Sequence, residues 1–210
     1  MSENITIAVF DGFDEIDVFG PFEILSAAGY EVRLATLGAS HVRSMRGVTI
    51  TTEHRLEATH GVLVPGGGWL DRAPVGAWAE VDRGELTARL VEIAADSDWV
   101  ASVCSGAMVL AHAGLLAGRP ATTNRACLTE LEPLVGTALN ERVVDDGDRI
   151  TAGALFAGVD LGLWIVERAL GTAVASDISD RTGYTRQGRV WLAPAQDIQS
   201  PSEQSGVSES

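Results

Sequence analysis

"WVASVCSGAMVLAHAGLLAGRP", Trp99 to Pro120, changes character at one residue. Up to Cys104 it is a β-rich apolar run; beyond it, small and apolar residues recur with helical spacing. A thiol therefore stands where a strand hands over to a helix. Parallel α/β sheets gather ligands at the carboxyl ends of their strands. Helix N–H groups and the helix dipole favour an anion, so this position predicts a lowered thiol pKa. An unperturbed thiol, with a pKa of about 8.5, is only a few per cent thiolate at neutral pH. Ser105, Gly106 and Ala107 leave room for a tight turn and for a substrate. The competing reading is an inert buried cysteine, since cysteine is among the most buried residue types.

Working outward, "NITIAVF" reads as a first strand and "DGFDEIDVFGPFEILSAAGY" as a helix with a kink or break at Gly20-Pro21. "YEVRLATLG" is a strand, "VRSMRGVTITTE" a hairpin around Arg46-Gly47, and "GVLVPGGGW" a buried strand entering a glycine turn. "VDRGELTARLVEIAADS" has the period of one helix, and the helix after Cys104 closes at Gly118. "RVVDDGDRIT" turns at Asp146-Gly147, and "LFAGVDLGLWIVERAL" and "TAVASDISDRTGY" are two late helices. Strands alternating with helices predict an α/β three-layer sandwich with a mostly parallel sheet. No internal linker divides the chain, so residues 1–194 form one domain. The tail 195–210, "AQDIQSPSEQSGVSES", is polar and small and reads as disordered.

The 210 residues carry 15 basic and 29 acidic side chains, a net charge of −14, and every basic one is arginine. So acidic a surface argues against nucleic acid and against anionic membranes as partners. No apolar run is long enough to span a bilayer, and "MSENITIAVF" lacks the basic start of a signal peptide. Two cysteines make no disulfide framework. The expectation is a cytoplasmic protein with reduced thiols, acting on a small molecule. His41, His54, His60 and His112 are scattered without ligand spacing, so neither a metal nor a cofactor is expected.

Two other stretches bear on Cys104. "LVPGGGW" puts a second glycine-rich loop at the sheet edge, where the Gly67 N–H could join that of Ser105 in an oxyanion hole. The bland alternative is a turn that needs glycine for its dihedrals. "DEIDVFGPFEIL" supplies acid. Glu23 sits in an apolar stretch, where a buried and protonated carboxyl would donate to a thiolate. Asp17, between Ile16 and Val18, points inward as well; Asp14 and Glu15 read as solvated or capping. His112 and Cys127 read as packing residues, Asp160 as a helix cap, and Trp69 and Trp78 as walls of a pocket or a dimer contact.

Together "IDVFGPFE", "PGGG", "SVCSGAMVLAHAGLLAGRPATT" and "AGVDLGL" resemble the DJ-1/PfpI superfamily, in its order and over roughly residues 4–190. The resemblance is strongest to the branch of isocyanide hydratases and amidotransferase-like domains of AraC-type regulators. It implies a flavodoxin-like fold with a nucleophile elbow at Cys104 and a homodimer with sites near the subunit interface. It implies Glu23 at the superfamily's carboxylate position and Asp17 as the acid that hydratases use beside their cysteine. Ser105 stands where hydratases carry threonine. The implied activity is cysteine-dependent hydration of a small electrophile, most concretely an isocyanide to an N-formamide. Glyoxalase or deglycase work on a 2-oxoaldehyde, and a redox-sensing or binding module, are the alternatives. After "ATT" the branch usually has histidine then tryptophan; here Asn124-Arg125 follows, which weakens the glyoxalase reading. No AraC-type helix-turn-helix domain is expected after the core.

Overall fold

A computed structural model of the chain describes residues 3–194. The strands are β1 (Asn4–Ala8), β2 (Glu31–Ala35), β3 (His41–Arg43), β4 (Thr49–Thr51), β5 (Gly61–Val64) and β6 (Trp99–Val103). The later ones are β7 (Pro120–Ala121), β8 (Thr137–Ala138), β9 (Val143–Asp145), β10 (Arg149–Ala152) and β11 (Val190–Leu192). The helices are α1 (Glu15–Ala27), α2 (Ala77–Arg83), α3 (Glu85–Ala94), α4 (Gly106–His112), α5 (Leu128–Leu131), α6 (Ala157–Leu170) and α7 (Thr172–Thr182).

Seven strands make one sheet in the order β11-β9-β10-β6-β5-β1-β2. From β2 to β10 all pairs are parallel; β9 runs antiparallel to β10, and β11 is parallel to β9. The fold is thus the expected α/β arrangement, a mostly parallel sheet flanked by helices. The chain steps from β1 outward to β2 through α1. It then returns and advances through β5, β6 and β10 with helices α2 to α4 between them. Right-handed crossovers in opposite directions put α1 and α6 on one face and α2, α3 and α4 on the other. Strands β5 and β6 are buried along their whole length, as covering on both faces demands of "GVLV" and "WVASV". Gly61 lets them lie together, because a Cβ there would come within 2.0 Å of the Trp99 ring.

Cys104 follows the central strand β6, between the ends of β5 and β10. The winding direction reverses between β1 and β5, one strand away from β6, and α/β folds bind ligands at the carboxyl edge near such a point.

The structure departs from expectation at several elements. Helix α1 continues through Pro21 without a break. It lies against α6, where Gly158 and Gly162 stand in for larger side chains. A Cβ on Gly158 would be 3.2 Å from Pro21 Cδ, and one on Gly162 would be 3.0 Å from Ile24 Cβ. This close packing holds the turn that the missing proline N–H weakens. The predicted single helix of 81–97 is instead α2 and α3, divided at Gly84 in the left-handed conformation (φ 79°). Helix α4 stops at His112, and Gly114 (φ 76°) turns the chain well before Gly118. Strand β11 is an addition that the sequence pattern did not reveal. Both predicted hairpins form, β3–β4 and β9–β10. The tail of 195–210 lies outside the described residues. Among the described residues no helix is long and apolar enough to cross a membrane.

Replacing Gly162 by leucine should force α1 and α6 apart. Overpacking of this kind costs about 1–3 kcal/mol, so the melting temperature should fall by roughly 3–10 °C for a chain of this size. Calorimetry showing an unchanged transition would mean that the α1–α6 contact is not close-packed.

Candidate active site

The Cys104 backbone has φ 55°, a left-handed conformation uncommon outside glycine. It is held there from both sides. Its N–H donates to Ala152 O (3.1 Å) and Gly153 O (2.8 Å) at the end of β10, and its carbonyl accepts from Thr123 Oγ1 (2.8 Å). Gly106 completes the turn, since a Cβ there would lie 2.1 Å from Val64 O. A strained strand-to-helix turn of this kind is a nucleophile elbow.

Asp17 lies in the first turns of α1 with no exposed surface. Its Oδ2 accepts the Gly66 N–H at 2.9 Å, while its Oδ1 is buried without a hydrogen-bond partner. Burial first, and the nearby Asp14 charge second, raise the carboxyl to about 8; the Gly66 N–H, the Cys104 thiol and the Leu155 N–H act weakly the other way. Asp14 caps α1 by accepting the Ile16 N–H (3.1 Å), and its own N–H donates to Gly66 O (2.9 Å). The Gly66 peptide is therefore gripped at both its polar ends by the start of α1. Nothing but glycine fits, because a Cβ would come within 2.5 Å of Ser105 Oγ and 3.0 Å of Asp17 Oδ2.

Cys104 as a whole is 7% exposed. Burial first, and the Asp17 charge second, push its thiol up to about 12, against the Asn124 amide and the Ser105 N–H, which favour the thiolate. The expected lowering is thus reversed. Helix α4 begins only at Gly106 and has seven residues, and burial of the sulfur is the largest influence on the thiol.

Of the residues singled out in sequence, Cys104, Asp17 and Ser105 come together. Gly67 is adjacent, but its N–H is already donated to Ser105 Oγ (3.1 Å), so it is not free to serve an oxyanion. Glu23 is exposed on α1. Six residues beyond Asp17 is one and two-thirds helical turns, which sends the two carboxylates to different faces. Asp17, not Glu23, is the carboxyl at the thiol. Asp160 does not cap α6: its carboxylate takes Arg142 Nε (2.6 Å), Tyr184 OH (3.0 Å) and the Gln187 N–H (2.8 Å), tying the late segment to the helix. Cys127 is fully buried, its thiol raised to about 11 by burial. His112 Nδ1 donates to Met108 O at 2.8 Å.

Sequence reading marks Asn124 only as a departure from histidine, yet its Nδ2 lies 3.3 Å from Cys104 Sγ. Trp69, 2% exposed, ties the same segment to the glycine loop. Its Nε1 donates to Glu130 Oε2 (3.1 Å), which also accepts Arg72 Nη2 (2.8 Å). The Arg72 guanidinium lies 3.9 Å from the centre of the Trp78 ring. Among the described residues no group of three or more His, Cys, Asp or Glu is placed to hold a metal ion.

Residues 3–168 match the DJ-1/PfpI family. The chain belongs to the DJ-1/PfpI family. It is 31% identical over 189 residues to an isonitrile hydratase of Pseudomonas putida, covering 88% of this chain and 79% of that protein. A deglycase of Thermococcus kodakarensis is 24% identical over 161 residues, 73% of this chain and 93% of its own. A ThiJ/PfpI family crystal structure from Pseudomonas syringae superposes with a TM-score of 0.78 at 25% identity, covering 95% of this chain and 80% of that one. The elbow, the glycine loop and the start of α1 all fall inside the stretch that matches the DJ-1/PfpI family.

The raised Asp17 carboxyl has a consequence for stability. Between its ordinary value of 3.8 and about 8 the folded chain holds a proton that the unfolded chain releases, so this group's stabilisation is full at low pH and is lost as pH rises to 8. Asp17→Asn removes the titration. Its melting temperature relative to the parent should rise from pH 5.5 to about pH 8, reaching several degrees, and level off above that. A constant gap across that range would place the proton elsewhere.

Proposed function

We propose that the chain is a cysteine-dependent hydratase that converts a small isocyanide to an N-formamide. The observation that carries this reading is the Asp17 carboxyl: wholly buried at the Cys104 thiol, with one oxygen fixed by Gly66 and the other unpartnered. An isocyanide carbon must gain both a nucleophile and a proton at the same atom. A thiol beside a carboxyl that holds its proton at neutral pH supplies both.

In the first step the Cys104 sulfur adds to the terminal carbon and Asp17 delivers a proton to that carbon. The thiol proton returns to Asp17, giving the thioimidate Cys104–S–CH=N–R. Asp17 next passes this proton to the nitrogen and takes one from water as the water oxygen attacks the same carbon, so the carboxyl ends the step protonated. Collapse of the resulting S–CH(OH)–NH–R adduct breaks the carbon–sulfur bond. It releases the formamide as the adduct's hydroxyl proton passes to the sulfur, which restores the thiol. The Ser105 N–H, directed at the sulfur, steadies the charge that develops there. Similarity to the Pseudomonas putida isonitrile hydratase supports the same substrate class. A homodimer and a cytoplasmic setting belong to the same proposal. The more distant likeness to deglycases keeps 2-oxoaldehydes as the second substrate to try. Against them stand the exposure of Glu23 and the asparagine at 124.

Steady-state kinetics with para-nitrophenyl isocyanide and with methylglyoxal separate the two. The isocyanide should be turned over by the parent and not by Cys104→Ala. Asp17→Asn should lose on the order of a hundredfold in kcat, the scale of acid–base assistance, while Glu23→Gln should change little. Near-parental turnover of the isocyanide by Asp17→Asn would overturn the mechanism.

A further inference from the structure

We infer that Asn124 is a catalytic residue of this site: its side-chain amide is a fixed, uncharged hydrogen-bond donor to the Cys104 sulfur. An asparagine amide can ordinarily be turned end for end. Here it cannot. The Oδ1 end accepts the Ala126 N–H at 3.0 Å, so the NH2 end is the one that faces Sγ at 3.3 Å. The backbone locks the same orientation. Asn124 caps the turn Arg125–Cys127, and its carbonyl accepts the Cys127 N–H at 2.7 Å. One residue earlier, Thr123 Oγ1 holds the Cys104 carbonyl, so adjacent residues grip the cysteine by its backbone and by its sulfur. Further along, Glu130 is clamped by Trp69 and Arg72, which fixes the segment against the glycine loop.

The electrostatic setting makes this donor matter. Asp17 from α1 and Cys127 from the turn after Asn124 bear on the sulfur, and negative charge on either opposes a thiolate; Asp14 in turn bears on Asp17. Arg72 and Glu130 are paired with each other above Cys127, and His112 on α4 is bonded to its own helix. What favours the thiolate is a pair of neutral dipoles, the Asn124 amide and the Ser105 N–H. Unlike an imidazole at this position, an amide donates at every pH and withdraws no proton of its own. The nucleophile's reactivity then follows the Cys104–Asp17 pair, without a second titration from the residue that hydrogen-bonds the sulfur.

The inference does not depend on the substrate, and its test reads the thiol alone. Iodoacetamide alkylation is followed in a Cys127→Ala background, so that one cysteine reports. Asn124→Asp keeps the side-chain shape and the bond to the Ala126 N–H but, once ionised, turns an acceptor-only oxygen toward the sulfur. Asn124→Ser keeps a capping hydroxyl that is too short to reach it. At pH 8 each should alkylate about tenfold or more slowly than the parent, the worth of a hydrogen bond to an anion, with a melting temperature within about 2 °C of it. Asn124→His should restore much of the rate and add an inflection near the imidazole's titration. A folded Asp or Ser variant that reacts within twofold of the parent would reduce Asn124 to a turn residue and overturn the inference. An inactive isocyanide assay would not bear on it.

Discussion

The Gly66 peptide is the constraint on which the site depends. Asp14 donates to its carbonyl, Asp17 accepts from its N–H, and the Ser105 N–H and hydroxyl lie where a Cβ would be. Three chain segments far apart in sequence, the start of α1, the loop after β5 and the elbow after β6, meet on one peptide unit. The contact is possible only because the middle segment has no side chain at that point. Any larger residue would separate the carboxyl from the thiol.

That contact keeps a carboxyl in an unfavourable place. Burying an ionisable group with only one of its oxygens satisfied is costly, and the Cys104 backbone sits in a conformation that itself costs on the order of 1–3 kcal/mol. The surroundings offset both. Strands β5 and β6 are buried throughout, α4 is buried over six of its seven residues, and α1 is pressed against α6 through glycines. A rigid frame holds two protonated groups side by side: burial raises both, and the Asp17 charge raises the thiol further. Such a pair is suited to a substrate that needs a proton and a nucleophile delivered together, and ill suited to a free-standing thiolate.

The layered fold and the elbow were legible along the chain. The apolar run to Cys104, the small residues after it, and the alternation of strand and helix patterns led directly to the central strand and its exit turn. Asp17 was legible too, because a lone acid between Ile16 and Val18 breaks an apolar pattern. Glu23 broke the pattern in the same way and was misread. Only the helix's rotation against α6 distinguishes the two, and an unbroken helix through Pro21 sets that rotation. Gly67 was read for its free N–H, which the Ser105 hydroxyl occupies. The thiol's pKa was read from position on a helix, whereas burial and the partner carboxyl set it.

The sequence by itself determined the order of elements, the place of the cysteine and the acid-rich, lysine-free surface, because these follow from local periodicity and composition. The tertiary structure alone decided which carboxyl reaches the sulfur, which way the Asn124 amide faces, and in which direction the thiol and carboxyl are driven. These rest on distances between segments some twenty to ninety residues apart and on the loss of water around them. Neither is written in the spacing of residues along one strand or helix.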